Sequence, residues 1–210
     1  MTWVQTSTGR AFDLLNPTPE MVDLKVDVPE ALARIPRFNG HIMSGPYSVA
    51  QHCVIGADAI MARTRDKALA AAFLLHDAHE AYLGDITTPV QEALAMHLDD
   101  LRPGVGGAMH MMMHHAKARI DAAIYAAAGI AWPLPLATRQ IIKQTDLTML
   151  RTERDLLLGP SPTPWGPDVE AAPRLRRGVA SIKPQPWPDA AADFVDRLHR
   201  YCPMPRARAA

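Results

Sequence analysis

The sequence predicts an all-α protein with a small N-terminal hairpin and a proline-rich C-terminal extension. Three observations carry that expectation: long segments repeat apolar residues at helical intervals, start and stop signals bracket those segments, and β-type alternation is confined to the N-terminus. The 210 residues fit a single domain, 1–210, with a core over about 30–158 and an extension over 159–210. A chain of that size buries a core without disulfide or metal staples.

Residues 2–15, TWVQTSTGRAFDLL, set short runs of β-formers around a Thr-Gly turn and predict a hairpin. Asp27 and Glu30 have capping-box spacing and open a short helix through Ile35, which Pro36 ends because its ring forbids continuation. RFNGH, 37–41, is then a loop. Ser48 and Gln51 repeat the capping spacing ahead of a helix whose Val49, Cys53 and Ile60 share a stripe, with His52 at its edge. Gly56 completes that stripe and lets a neighbouring helix approach closely.

A second helix over about 67–83 is apolar on nearly every face from Ala68 to Leu75, as a central helix would be, and Gly84 stops it. A third, over about 108–128, carries Met109, Met113, Ala116, Ile120 and Ala123 on one stripe, with His110, His114, Lys117 and Asp121 beside it. A fourth, over about 136–158, buries Ile142, Met149 and Leu150, and Asp146 falls among them. From Gly159 to Pro188 the recurring prolines predict an ordered but irregular wrap, before a short closing helix bearing Phe194, Val195, Leu198 and Tyr201.

Composition narrows the partners. Twenty-two basic and 22 acidic residues cancel, so no basic field draws a nucleic-acid polymer, whereas a small phosphorylated ligand stays open. Cys53, in an apolar helical pattern, and Cys202, in the tail, read as reduced thiols. The N-terminal residues lack a signal-peptide core and no apolar run reaches spanning length, so no membrane partner and a cytoplasmic location are expected.

The chemistry concentrates in FLLHDAHEAYLGD, 73–85, where an apolar run ends in His76, Asp77, His79 and Glu80. A buried charge needs a partner or is neutralised. His52 from the first long helix, His76 and Asp77 from the second and Asp146 from the fourth all emerge from apolar faces, and one ion satisfies them together. Two imidazoles with two carboxylates suit a divalent transition metal such as zinc, cobalt or manganese, and leave positions open for water and substrate. Such an ion lowers the pKa of a water toward ~7, which implies hydrolysis. Glu80, one turn beyond His76, is placed to hold that water, and Asp85 reaches back from beyond Gly84. His79 points away from the Glu80 face and is expected either behind the site residues or at the surface, without a catalytic part. His110, His114 and His115 form a rival cluster, but they share a polar stripe with Lys117 and Asp121 and read as solvated or subunit-facing. Met109, Met111, Met112 and Met113 read as adaptable packing.

His52, His76-Asp77 and Asp146 form an H…HD…D pattern that resembles the HD-domain metal-dependent phosphohydrolases. Arg37, HDAHEAYLGDITTPV over 76–90 and KQTDLTMLRTER over 143–154 are similar to the compact HD 5′-deoxynucleotidases and the small phage-type dATP triphosphohydrolases. The resemblance covers about 30–158 and leaves the proline-rich tail outside. It implies an HD helical bundle, a homo-oligomer, and hydrolysis of the 5′-phosphoester of a deoxynucleotide. By the same resemblance His52, His76, Asp77 and Asp146 bind the metal, Glu80 and Asp85 handle water and the leaving group, and Arg37 clamps phosphate. The planar fork of an arginine suits that clamp. Lys143 is a further candidate for phosphate, against a purely solvated role. Phe38 stands where the deoxynucleotidases carry a bulkier tryptophan against the sugar. The alternatives are a signalling-nucleotide hydrolase, for which no GYP-type extension is present, and a non-catalytic nucleotide sensor, against which Glu80 and Asp85 argue.

Overall fold

The computed structural model describes residues 1–175 and 182–203. Helix makes up 61% of the chain, with nine α-helices among the described residues and one two-stranded sheet. The all-α expectation therefore holds. The hairpin is β1, Trp3–Gln5, paired antiparallel to β2, Ala11–Asp13, with Val4 opposite Phe12.

The first helix, α1, spans Asp27–Arg34 and ends where Pro36 requires. Its start differs from the capping-box expectation, because Val26 occupies the cap position with no side-chain bond. The Asp27 carboxylate turns instead toward the hairpin, accepting from Ser7 Oγ at 3.0 Å, Thr8 N at 3.0 Å and Thr8 Oγ1 at 2.8 Å. A buried acid is thus spent on fastening β1–β2 to α1.

At the centre lie α2, Val49–Thr64, and α3, Lys67–Leu74, packed on each other and on the closing helix α9, Trp187–Tyr201. The Ser48 hydroxyl caps α2 by accepting from Gln51 N at 3.2 Å, and Asp66 caps α3 through Leu69 N at 3.0 Å. Gly56 meets the Phe73 ring so closely that a Cβ would fall 2.5 Å from its Cζ, which accounts for a glycine inside a buried helix. Cys202, which the sequence places in the tail, is buried beside this core.

The expected single helix over 67–83 is broken. After α3 the backbone tightens into successive three-residue turns, with His76 N bonding Phe73 O at 3.2 Å and Glu80 N bonding Asp77 O at 2.9 Å, before a one-turn α4, Glu80–Leu83. Gly84, at φ 77°, closes the segment as predicted. Next comes an unanticipated helix, α5, Thr88–Leu101, of which only Ala95 is buried. It pairs with α6, Gly106–Ala127, and the last long helix is α7, Leu136–Leu157.

The proline-rich stretch is irregular apart from α8, Pro167–Ala171, and the part of it at 176–181 lies outside the described residues. Gln51 pins its far end, donating from Nε2 to Lys183 O at 2.7 Å and accepting from Gln185 N at 3.2 Å. Among the described residues no helix is long and apolar enough to cross a membrane.

Candidate metal centre

The fold brings three helical segments to one point. His52 is on the second turn of α2, His76 and Asp77 are in the tight turn after α3, and Asp146 is midway along α7. His52 Nε2 lies 3.4 Å from Asp146 Oδ1 and 3.9 Å from Asp77 Oδ2. His76 Nε2 lies 3.2 Å from the same Asp77 oxygen and 3.9 Å from the same Asp146 oxygen. Atoms that share an ion at ordinary zinc-type bond lengths stand about 3.0 to 3.6 Å apart, so the group is close to closing on one cation. His52, His76 and Asp146 accordingly form one of the few clusters among the described residues able to hold a metal.

The imidazoles are presented as ligands. His52 Nδ1 is 2.6 Å from Glu153 Oε1, and His76 Nδ1 is 2.7 Å from the Phe73 carbonyl. Both partners accept, so each Nδ1 carries a proton and each Nε2 is the nitrogen left to face a cation. Among the described residues neither Nε2 finds a hydrogen-bond partner, although both atoms are buried. That is a costly arrangement unless a cation completes it. The side chains of Asp77 and Asp146 stay 18% and 26% exposed, which puts the two carboxylates at the mouth and His52, fully buried, at the floor. His52 was expected only at the edge of the buried stripe.

Electrostatics point the same way. Burial opposes the charge on Asp146, but His52 and His76 outweigh it and hold the carboxyl well below the usual range. Burial likewise opposes charge on Asp77, and His76 overrides it. His76 is pushed well above the ordinary imidazole value, since the Asp77 carboxylate more than offsets burial. A cation bound there would take the place of the imidazolium proton on His76.

Glu80 is placed differently from its helical projection. The break into three-residue turns sets residues three apart in register, so Glu80 follows Asp77, not His76. Burial first, then the Asp77 and Asp85 charges, raise its carboxyl to about 10, and its Oε2 is buried with no partner among the described residues. Asp85 is half-buried, and burial raises its carboxyl against the lowering pull of Arg37. His79 is buried, with Nδ1 2.9 Å from Asp121 Oδ1, so of its two expected places it takes the one behind the site and not the surface.

Arg37 is also buried, with NH1 3.7 Å from Asp77 Oδ2 and Nε donating to Glu153 Oε2 at 3.1 Å. Phe38 follows at φ 55°, a left-handed backbone that costs a bulky residue about 1 to 3 kcal/mol. The expected 37–41 loop is therefore a strained single turn, Arg37–Gly40. The Phe38 ring lies 6.2 Å from that of Trp165, contributed by the proline-rich stretch. Lys143 is exposed on α7, three residues before Asp146, outside this web of contacts. His110, His114 and His115 are exposed, in keeping with a solvated stripe.

Two site residues escaped the sequence. Glu153, two turns along α7 from Asp146, lies inside the KQTDLTMLRTER stretch, which assigns it no role, and Asp121, which supports His79, carries no motif; the signal for Glu153 was an acid seven residues after Asp146, on the same side of α7.

No family model matches the chain. It is 32% identical over 211 residues to the uncharacterized protein RCAP_rcc00048 of Rhodobacter capsulatus, covering 94% of each chain. It is also 31% identical over 156 residues to the uncharacterized protein YfdR of Escherichia coli, covering 73% of this chain and 71% of that one. With near-complete coverage at that identity, the chain belongs to the protein family that includes RCAP_rcc00048.

Proposed function

We propose that the protein is an HD-type, metal-dependent phosphohydrolase that cleaves the 5′-phosphoester of a deoxynucleotide. The observation that carries this reading is the pair of buried, unpartnered Nε2 atoms of His52 and His76 facing the Asp77 and Asp146 carboxylates, with each Nδ1 already engaged. His52, His76, Asp77 and Asp146 hold a zinc, cobalt or manganese ion. That ion supplies Lewis-acid polarisation of the phosphoryl group and lowers the pKa of a water.

The chain's own groups do the rest. Arg37 donates to the phosphate from the NH groups that Glu153 does not occupy. Glu80, whose carboxyl is raised by burial and by the Asp77 and Asp85 charges in the metal-free fold, would lose its own proton once a cation offset those charges, and as a carboxylate receives the proton of the attacking water. Asp85, at the half-open edge, faces the ester oxygen and returns a proton to it as the P–O bond breaks. Water is consumed, and a nucleoside and a phosphate or triphosphate are released. Phe38, backed by Trp165, forms the aromatic wall beside Arg37 where the sugar lies. A homo-oligomer belongs to the same reading, supported by exposed Leu94, Met96, Leu101, Met111 and Met112 on α5 and α6.

The test is a substrate panel. Metal-stripped protein, restored with cobalt, manganese or zinc in turn, is incubated with ribo- and deoxynucleoside mono-, di- and triphosphates, and the products are separated by chromatography. Orthophosphate from monophosphates marks a nucleotidase, and intact triphosphate from a dNTP marks a triphosphohydrolase. Nucleotide binding without any product overturns the reading in favour of a sensor.

A further inference from the structure

Glu153 is fully buried, yet it receives three donors from three different parts of the chain. Its Oε1 accepts from His52 Nδ1 at 2.6 Å and from the Tyr47 hydroxyl at 2.8 Å, while its Oε2 accepts from Arg37 Nε at 3.1 Å. One carboxylate thus fixes the tautomer of a metal-facing imidazole and the orientation of the guanidinium that faces Asp77. Both oxygens are engaged, and the acid lies on the far side of His52 from the ion-facing Nε2. We infer that Glu153 is a positioning residue that couples cation binding at His52 to phosphate binding at Arg37. The inference rests on the metal-dependent reading of the site.

The physical reason is the inventory of the carboxylate. Only a group with two accepting oxygens serves His52 and Tyr47 on one side and Arg37 on the other. In Glu153→Gln one oxygen becomes an NH2 donor. Turned toward Arg37, it sets donor against donor and releases the guanidinium. Turned toward His52, it forces the imidazole to accept at Nδ1, moves the ring proton to Nε2, and removes the lone pair aimed at the cation. Either rotamer breaks one arm, and the loss of charge weakens the other. A bond to a ligating histidine typically governs affinity by about 10- to 100-fold.

The experiment uses the full chain and two probes, cobalt and inorganic phosphate, titrated calorimetrically into the unmodified protein and into Glu153→Gln, with circular dichroism confirming the fold of each. The expected result is cobalt affinity lowered about 10- to 100-fold in Glu153→Gln and, at saturating cobalt, weaker phosphate binding as well. A folded Glu153→Gln that binds both probes like the unmodified protein overturns the inference, as does one in which a single probe is affected. An unmodified protein that binds neither probe overturns the reading of the site itself, so the two failures are separate.

Should Glu153→Gln not fold, Arg37→Gln asks the same question from the other arm. This change removes no hydrogen bond made by His52, yet coupling through Glu153 shifts the nitrogen-15 and proton resonances of His52 Nδ1–H in the metal-free protein. Unmoved resonances overturn the inference.

Discussion

Gly56→Ala probes how tightly the packing of the core sets the metal centre. At an open helical position this change stabilises by about 1 kcal/mol, because alanine is the better helix former. Here the new Cβ falls 2.5 Å from Phe73 Cζ and 2.9 Å from its Cδ1, with Cε1 closer still. Ordinary contact lies about 1 Å further out, so the ring or the α2–α3 spacing must give. Overpacking of this kind costs about 1 to 3 kcal/mol and exceeds the propensity gain when the blocking atoms are a buried ring. Phe73 is fully buried, so the net expectation is destabilisation of up to about 2 kcal/mol, or a melting temperature lower by up to about 8 °C for a domain of this size.

The displacement does not stay in the core. The Phe73 ring lies 4.3 Å from the His76 ring and 5.9 Å from the His52 ring, and the Phe73 carbonyl accepts His76 Nδ1–H at 2.7 Å. A site of this kind tolerates about 0.5 Å of misplacement. Gly56→Ala is therefore expected to lower cobalt affinity about tenfold or more, measured by calorimetry beside thermal unfolding. Adding Phe73→Leu is expected to recover part of the stability, a non-additivity diagnostic of direct contact. A Gly56→Ala protein that melts higher than the parent and binds cobalt equally well refutes the argument.

Other consequences are open to simpler assays. Metal uptake at neutral pH is expected to release protons into a weakly buffered solution, because His76 is raised well above its ordinary value by Asp77, against the opposing effect of burial; uptake with no pH change contradicts this. The metal-free protein is expected to melt lower than the loaded one, by the equivalent of about 2.7 kcal/mol when free metal exceeds its dissociation constant a hundredfold. Glu80 keeps its proton up to about 10 in the metal-free fold, through burial and then Asp77 and Asp85, against 4.5 when unperturbed. The folded state thus binds that proton more tightly, and its contribution, complete below the lower value, is lost as pH rises toward the upper one. Urea unfolding of metal-free Glu80→Gln between about pH 5 and 10 is expected to show a flatter decline; an unchanged slope counts against the assignment. Trp165→Ala removes the ring that backs Phe38, and is expected to raise the nucleotide KM about fivefold, with metal affinity unchanged. A KM equal to the parent's denies the proline-rich stretch a part in the substrate wall.

The capping residue Ser48, the stop at Gly84 and the apolar run of α3 were legible because each is a local signal that the structure uses locally. His52, His76, Asp77 and Asp146 were legible as a set because polar groups on apolar faces demand partners, and the fold does gather them. The break after Leu74 was not, since nothing in AAAFLLHDAHEAYL opposes a continuous helix; the turn becomes favourable only through what His76, Asp77 and Glu80 meet across the site. Asp27 misled because its capping spacing is real but the hairpin hydroxyls of Ser7 and Thr8 compete for it. Helix α5 hid because a helix exposed on most faces has no stripe to read, though Pro89 in its first turn was a start signal. Glu153 was invisible for a related reason, since its donors lie 101, 106 and 116 residues away along the chain.

The central claim is that one cation, held by His52, His76, Asp77 and Asp146, is required for phosphoester hydrolysis. The most direct measurement follows phosphate or triphosphate release from deoxynucleotides as cobalt is added to stripped protein, in the parent and in Asp77→Ala. The account predicts turnover that rises with metal and levels off at one equivalent per chain, and none in Asp77→Ala under the same conditions. Turnover that persists in Asp77→Ala after its metal binding is lost contradicts the account.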